Sequence, residues 1–231
     1  MQIFGFNKTT LLDYPEHVAC TLFTGGCNFR CPFCQNGGLV EGLSEQVPIP
    51  EEEIFSVLKK RRHLLSGVCV TGGEPTLHAD LPEFLGKIKE LGYLVKLDTN
   101  GYRPDVLATL HREGLLDYVA MDIKSGPEGY AKAAGLPVLD LDRIRESVSY
   151  LRGCGLPYEF RTTVVKELHS REDMLSIGRW LAGSRAYFLQ SYRDSDAVLR
   201  PGYSAHSRET LEEFLSLVRP FIPSATLRGV D

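Results

Sequence analysis

No stretch of the chain approaches the roughly 18 consecutive apolar residues of a membrane-spanning helix, and neither charge sign dominates it. Among its 231 residues, 26 are basic and 30 acidic, a net charge of −4. The broad cationic surface that a nucleic acid or an anionic membrane would need is missing, so neither is an expected partner. Cysteine is scarce: six in the whole chain are too few for a disulfide scaffold of this length. The opening Met1-Gln2-Ile3-Phe4-Gly5-Phe6 lacks the basic flank and apolar run of a secretory signal, which points to a reducing cytoplasm. Repeats, low-complexity tracts and Ser/Gly-rich linkers are also missing, so a single domain over residues 1–231 is expected. With 43% hydrophobic and 24% charged residues, the chain can fill a core and is neither disordered nor fibrous.

What is present is alternation. Short β-type runs at Val18–Phe23, Val68–Thr71, Tyr93–Leu97, Tyr118–Ile123, Tyr158–Val165 and Tyr187–Leu189 are separated by helical patterns. Helices are expected from Pro50 and over Leu81–Leu91, Pro104–Glu113, Leu141–Leu151, Arg171–Leu181 and Arg208–Val218. Glu51, Glu52 and Glu53 open the first, and Lys59 to Arg62 close it, the favourable sense for the helix dipole. Gly92, Gly114 and Gly153 stand where helices end, a common place for glycine. Alternating strands and helices imply an α/β fold with parallel strands and right-handed crossovers. About six β-α units are too few for a closed eight-unit barrel, so the expected architecture is a partial (β/α)6 TIM-like barrel. A doubly wound sheet is the other arrangement with this element order.

The unusual polar residues follow the strands: Cys27 to Cys34, Gly72 to Glu74, Asp98 to Asn100, Asp122 to Lys124, and Gln190. In α/β folds that edge is where ligands bind. Cys27-Asn28-Phe29-Arg30-Cys31-Pro32-Phe33-Cys34 is a C-x3-C-x2-C motif, three thiols within eight residues. Thiolates prefer zinc and iron–sulfur centres. Three ligands leave one position open for chemistry, while a zinc knuckle with a fourth ligand elsewhere also fits the spacing. Cys20 lies mid-strand, where it does not easily swing into the loop, and Cys69 and Cys154 read as core residues. Trp180 also reads as core, and the scattered histidines, His169 among them, as surface or helix-end residues.

The cysteine motif, with an aromatic before its last cysteine, and Gly72-Gly73-Glu74-Pro75 together resemble the radical S-adenosylmethionine superfamily. Leu11-Leu12-Asp13-Tyr14-Pro15, Gln35-Asn36, Leu97-Asp98-Thr99-Asn100-Gly101 and Val119-Ala120-Met121-Asp122-Ile123-Lys124 resemble, more narrowly, the activating proteins of anaerobic ribonucleoside-triphosphate reductase. Pyruvate formate-lyase activating enzymes share several of these residues.

The resemblance implies a 4Fe–4S cluster held by Cys27, Cys31 and Cys34, with its fourth iron open to S-adenosylmethionine. Reductive cleavage would give a 5′-deoxyadenosyl radical, which takes a hydrogen from a glycine of a partner protein. The implied partners are a glycyl radical enzyme, foremost anaerobic ribonucleoside-triphosphate reductase, and a low-potential donor such as flavodoxin or ferredoxin. The Phe33 backbone would lie near the adenine, and Gln35 would be a further cofactor contact. Gly72 and Gly73 would let the backbone approach the methionine amino group, Glu74 and Pro75 completing the turn. Asp98, Thr99 and Asn100 would stand at the mouth, Asp122 and Lys124 near the ribose and carboxylate, with Arg161 and Gln190 as further contacts. Residue by residue, other readings stand: an ordinary strand-to-helix turn at Gly72-Gly73, a turn at Asp98 to Asn100, a mutual ion pair for Asp122 and Lys124, and a structural salt bridge for Arg161. Gln35 replaces the histidine that many activating enzymes carry. Without a further cysteine group, no second cluster is expected. A relative that activates another glycyl radical enzyme, or that acts on a small molecule, is the alternative.

Overall fold

Ile3–Thr10 forms a strand, β1, in the structure, a computed structural model that describes residues 1–230. It adds to the strands expected from sequence, because the run shows no clean alternation. Its centre is half-buried or exposed, and it lies antiparallel to β2 (Ala19–Thr24) with two shifts of register. Such irregularity suits an edge strand. The expected strands then follow. After β2 come α1 (Gly37–Val40) and α2 (Glu51–Arg61), β3 (Gly67–Gly72), α3 (Leu81–Glu90), β4 (Leu94–Thr99), α4 (Pro104–Arg112) and β5 (Tyr118–Asp122). Next are α5 (Tyr130–Ala133), α6 (Leu141–Gly153), β6 (Tyr158–Val164), α7 (Arg171–Trp180), β7 (Tyr187–Ser191), α8 (Arg208–Val218) and β8 (Thr226–Arg228). The eight-stranded sheet keeps chain order from β1 to β8. The fold is therefore the expected α/β class of partial TIM-like type with parallel strands, with β1 and β8 added to the six anticipated strands. Only three residues of β8 pair with β7, too few for a pattern to show.

The chain gathers into two compact units, one of Met1–Asn28 and Gly38–Ala120, the other of Phe29–Gly37 and the chain from Met121 on. In the first, β2 and β3 run parallel from Ala19 opposite Gly67 to Thr24 opposite Gly72, and β4 continues the parallel pairing. The apolar stripes that the periodicity predicts face inward. Ile54 and Leu58 of α2 and Leu81, Phe84, Leu85 and Ile88 of α3 are buried, and Phe55 meets Phe84 edge-on at 5.4 Å. Burying one leucine-sized side chain contributes about 1.5–3 kcal/mol, so these stripes hold the helices down.

In the second unit β6, β7 and β8 are parallel, with Arg161 opposite Phe188, Thr163 opposite Gln190 and Gln190 opposite Arg228. Ser170 and Asp173 close a capping box at the start of α7, satisfying amides that the helix leaves unpaired. Ser207 caps α8 through the Thr210 amide. Cys69 is a core residue as expected and Cys20 is buried within β2, whereas Cys154 and Trp180 are only half-buried. The Trp180 ring lies against Tyr130 at the end of α7, where part of it reaches solvent. No helix among the described residues is long and apolar enough to cross a membrane.

Candidate functional site

In the first unit, the polar residues that follow β2, β3 and β4 are tied to one another. Gly73 N–H donates to Thr24 O at 2.8 Å, and Glu74 N–H to Gly26 O at 2.7 Å. Gly26 N–H reaches Leu39 O at 2.7 Å. These bonds press the end of β3 against the stem of Cys27. The contact is so close that a Cβ on Gly73 would lie 1.9 Å from Gly26 O. Gly72 takes φ +121°, a conformation that side chains rarely adopt. The two glycines are therefore more than an ordinary turn: they bring backbone against backbone beside the first motif cysteine.

Glu74 is fully buried and holds this edge together. Its Oε1 accepts from Thr76 N (3.1 Å), Thr76 Oγ1 and Thr99 Oγ1 (2.7 Å), and its Oε2 from Asn100 N (2.7 Å). Burial raises its pKa above the ordinary glutamate value, and these donors oppose the rise, as burial and donated hydrogen bonds do in general. Pro75 starts a 3-10 turn over Pro75–Leu77 that Glu74 caps. Thr99 and Asn100 thus do more than make a turn. Asn100 Nδ2 donates to Asn28 Oδ1 at 2.8 Å and lies 3.9 Å from Cys27 Sγ. Asp98 pairs instead with Lys96, a lysine buried in β4 whose Nζ lies 3.8 Å from Cys69 Sγ.

The second unit holds Cys31, Phe33 and Cys34. The segment after β7, a polar loop by its sequence, straps the cysteine loop down. Leu199 N–H donates to Cys34 O (2.9 Å), Arg200 N–H to Pro32 O (2.9 Å), and Gly37 N–H to Ala197 O (3.0 Å). Gln35 Nε2 donates to Arg193 O at 2.8 Å, so its side chain is committed to the strap. On the other side Arg30 N–H reaches Ala134 O at 2.9 Å.

Asp122 and Lys124 form the mutual ion pair, at 3.0 Å, and Arg161 joins it with Nε and Nη2 on Asp122 Oδ1 at 3.0 and 2.9 Å. Burial would raise Asp122, but Arg161 and Lys124 outweigh it and hold the carboxyl down to about 2. Opposite charges at this range favour the ionised form. Burial would likewise lower Lys124, yet Asp122 keeps it above the usual lysine range. The same ammonium works on Cys31. Burial pushes that thiol up to about 11, and Lys124 pulls in the other direction, towards the thiolate that binds metal. Burial also raises Cys34. Gln190 takes a contact at 3.5 Å from Arg228, whose guanidinium grips the buried Glu159 at 2.8 and 3.1 Å and lies 3.7 Å over the Phe188 ring.

His169 stands at a helix end, as one of the two sequence readings has it, directly before the Ser170 cap of α7, but it is buried and not at the surface. Val165 N–H donates to its Nδ1 at 2.9 Å, and its Nε2 bonds Lys124 O at 2.8 Å. A ring nitrogen that accepts leaves the proton on the other, so Nε2 is the donor. The His169 ring meets Phe33 edge-on at 6.4 Å. Histidine just before a helix cap gives no sign of this, because the partners come from the ends of β5 and β6.

None of the six cysteines forms a disulfide. Among the described residues no group of three or more His, Cys, Asp or Glu side chains is gathered as a metal-binding set. Cys27 belongs to one unit, Cys31 and Cys34 to the other. The donors of the motif nevertheless suit an iron–sulfur cluster. All are sulfur, Cys31 has a cation beside it, and Cys27 has an amide donor.

Residues 21–180 match the family model described as the Radical SAM superfamily. A Methanocaldococcus jannaschii protein named as a glycyl-radical enzyme activating enzyme is 30% identical over 201 residues, 84% of this chain and 81% of that protein. A protein of Thermococcus kodakarensis named as a GTP 3′,8-cyclase is 34% identical over 152 residues, covering 64% of this chain and 48% of its own. Among solved structures, Streptococcus suis SuiB bound to precursor peptide SuiA superposes with a TM-score of 0.70 at 15% identity, over 90% of this chain and 48% of that one. The protein anSMEcpe with bound AdoMet and a Cp18Cys peptide gives 0.62 at 17% identity, over 87% and 58%. The chain thus spans about half the length of these two solved structures, and at these identities they speak for the fold.

Proposed function

The chain belongs to the Radical SAM superfamily, and from that premise we propose that it installs a glycyl radical on a partner enzyme, anaerobic ribonucleoside-triphosphate reductase in the first place. Family membership implies a 4Fe–4S cluster and S-adenosylmethionine. In this reading residues 1–231 act as one radical S-adenosylmethionine domain in the cytoplasm, supplied with electrons by a flavodoxin or ferredoxin. When bound, the cluster and S-adenosylmethionine would supply one-electron radical chemistry for hydrogen abstraction at the target glycine.

The chain's own residues would hold and orient these groups. Cys27, Cys31 and Cys34 would be the ligands. The Gly72-Gly73-Glu74-Pro75 turn, fixed through Thr99 and Asn100, would set the backbone edge for the methionine amino group. Asp122, Lys124 and Arg161 would present one carboxylate and two cations to the ribose and the carboxylate of S-adenosylmethionine. Phe33, Gln35, Asp98 and Gln190 would line the site. The observation that carries the proposal is the C-x3-C-x2-C loop, its thiols in no disulfide, with the Gly72–Glu74 edge bonded onto the stem of Cys27. The relative named for glycyl-radical enzyme activation, matched over most of both chains, supports the choice of substrate. The 34% likeness to the GTP 3′,8-cyclase favours a second reading, a radical enzyme acting on a small molecule. Activation of a pyruvate formate-lyase type enzyme is a variant of the first.

The test uses anaerobically reconstituted protein, dithionite, S-adenosylmethionine and the anaerobic ribonucleotide reductase of the same organism. Electron paramagnetic resonance and 5′-deoxyadenosine are read in one tube, with Cys31→Ala as control. A glycyl doublet that the control lacks supports both chemistry and partner. Deoxyadenosine without a doublet keeps the chemistry and removes this partner. Neither signal from cluster-loaded protein overturns the proposal, as does one zinc in place of about four irons per chain.

A further inference from the structure

Asn28 directly follows the first motif cysteine, and its Nδ2 is a buried donor with no hydrogen-bond partner. The neighbours dictate this orientation. Tyr102 N–H donates to Asn100 Oδ1 at 3.0 Å, so Asn100 turns its Nδ2 the other way. There the Nδ2 meets Asn28 Oδ1 at 2.8 Å and Cys27 Sγ at 3.9 Å. Asn28 can answer only with its oxygen, because turning it over would set two NH2 groups against each other. Its own NH2 is left over. The Cys27 thiol contacts Asn28 Oδ1 at 4.0 Å. Once the thiol is deprotonated, its sulfur can only accept, and Asn100 Nδ2 is the donor at hand.

A buried donor without an acceptor is rare in folded proteins and calls for an explanation. The acceptor-rich group that the motif is built to hold would provide one. We propose that Asn28 and Asn100 act as an amide pair that donates hydrogen bonds to the sulfur of Cys27 and of a cluster bound there, raising the cluster's reduction potential. This rests on the radical S-adenosylmethionine reading. The added electron makes the sulfurs more negative, so donors aimed at them stabilise the reduced form more than the oxidised form. Both are positioning residues whose effect is read through the cluster.

The experiment compares reconstituted wild type, Asn28→Leu, Asn28→Ser and Asn100→Asp. Iron and sulfide per chain are measured first, then the midpoint potential by dithionite titration followed by electron paramagnetic resonance. Asn28→Leu removes the spare donor without adding charge. Asn100→Asp keeps the oxygen that caps Tyr102 and the backbone bond to Glu74; it replaces the donor with an acceptor and adds a negative charge, both of which lower the potential, so Asn28→Leu is the variant that isolates the donor. The expected result is normal iron content and about a tenfold smaller reduced fraction at a fixed poise in Asn28→Leu, equivalent to about 59 mV for one electron. Asn28→Ser, which keeps a donor, falls in between, and Asn100→Asp moves in the same direction as Asn28→Leu. An unmoved midpoint in an iron-loaded Asn28→Leu overturns the proposal. Should that variant fail to load, an unmoved midpoint in Asn100→Asp overturns it as well. Loss of iron from every variant also overturns it, because the pair is then needed for assembly and not for tuning. A wild type without a 4Fe–4S cluster refutes the family chemistry itself, a separate outcome.

Discussion

Replacing Gly73 with alanine tests whether the edge of β3 is pressed onto the cysteine stem as described. The added Cβ would lie 1.9 Å from Gly26 O and 2.6 Å from Gly26 C, well inside the 3.0 Å that real Cβ atoms keep. Both groups are backbone, so no side chain can swing away. Overpacking of this kind costs about 1–3 kcal/mol. Separating the strands also breaks the bonds Gly73 N to Thr24 O and Glu74 N to Gly26 O, each contributing about 1 kcal/mol. The expected loss is about 3–5 kcal/mol, or roughly 6–20 °C in melting temperature for a chain of this size. Gly86 is the matched control. It lies inside α3, and a Cβ there meets nothing within 4 Å. Gly86→Ala should stabilise by about 0.5–1 kcal/mol through helix propensity. Anaerobic thermal unfolding followed by circular dichroism reads both. A Gly73→Ala protein within about 1 kcal/mol of wild type would refute the close approach.

Glu74→Gln keeps the shape but sets an NH2 against one of four donors; a loss of about 2–4 kcal/mol in urea unfolding is expected. Asp122 has its folded pKa held at about 2, below the unfolded value of 3.8. Its contribution is therefore fully present above about pH 4 and lost as pH falls towards 2. The shift corresponds to roughly 2 kcal/mol. A third of the side chain is exposed, and solvent screening reduces the figure to about 1 kcal/mol. Asp122→Asn should cost that much at pH 7, with the gap narrowing between about pH 4 and pH 2 in denaturant titrations. Burial lowers the pKa of His169, so the folded chain resists its protonation and loses stability as pH falls below about 6.5. In His169→Gln that part of the slope between about pH 7 and 5.5 should vanish, and an unchanged slope would place the sensitivity elsewhere.

Local signals carried far in this chain. The six central strands were legible as short apolar runs, and α2, α3, α4, α6, α7 and α8 because each buries a periodic stripe; the short helices α1 and α5 were not, being four residues each. β1 and β8 were not, since edge strands and three-residue strands need no apolar alternation. The residues of the candidate site were legible as motifs, but most of their partners were not. Nothing in the run from Arg193 to Arg200 announces that its backbone clasps Cys34 and Pro32. Nothing around His169 announces a bond to Lys124 O.

The amino-acid sequence by itself determined the class of fold, the strand edge on which the polar residues fall, and the three thiols whose spacing marks the superfamily. These follow from periodicity and short-range spacing, which a linear chain records directly. The tertiary structure alone decided which carboxylate meets which cation and which buried donors find acceptors. It put Glu74 under Thr99 and Asn100, linked Asp122 to Arg161, and left the Asn28 Nδ2 without an acceptor. Such pairings join residues tens of positions apart, and burial sets their strength, because only a site removed from water makes each unmatched polar group costly.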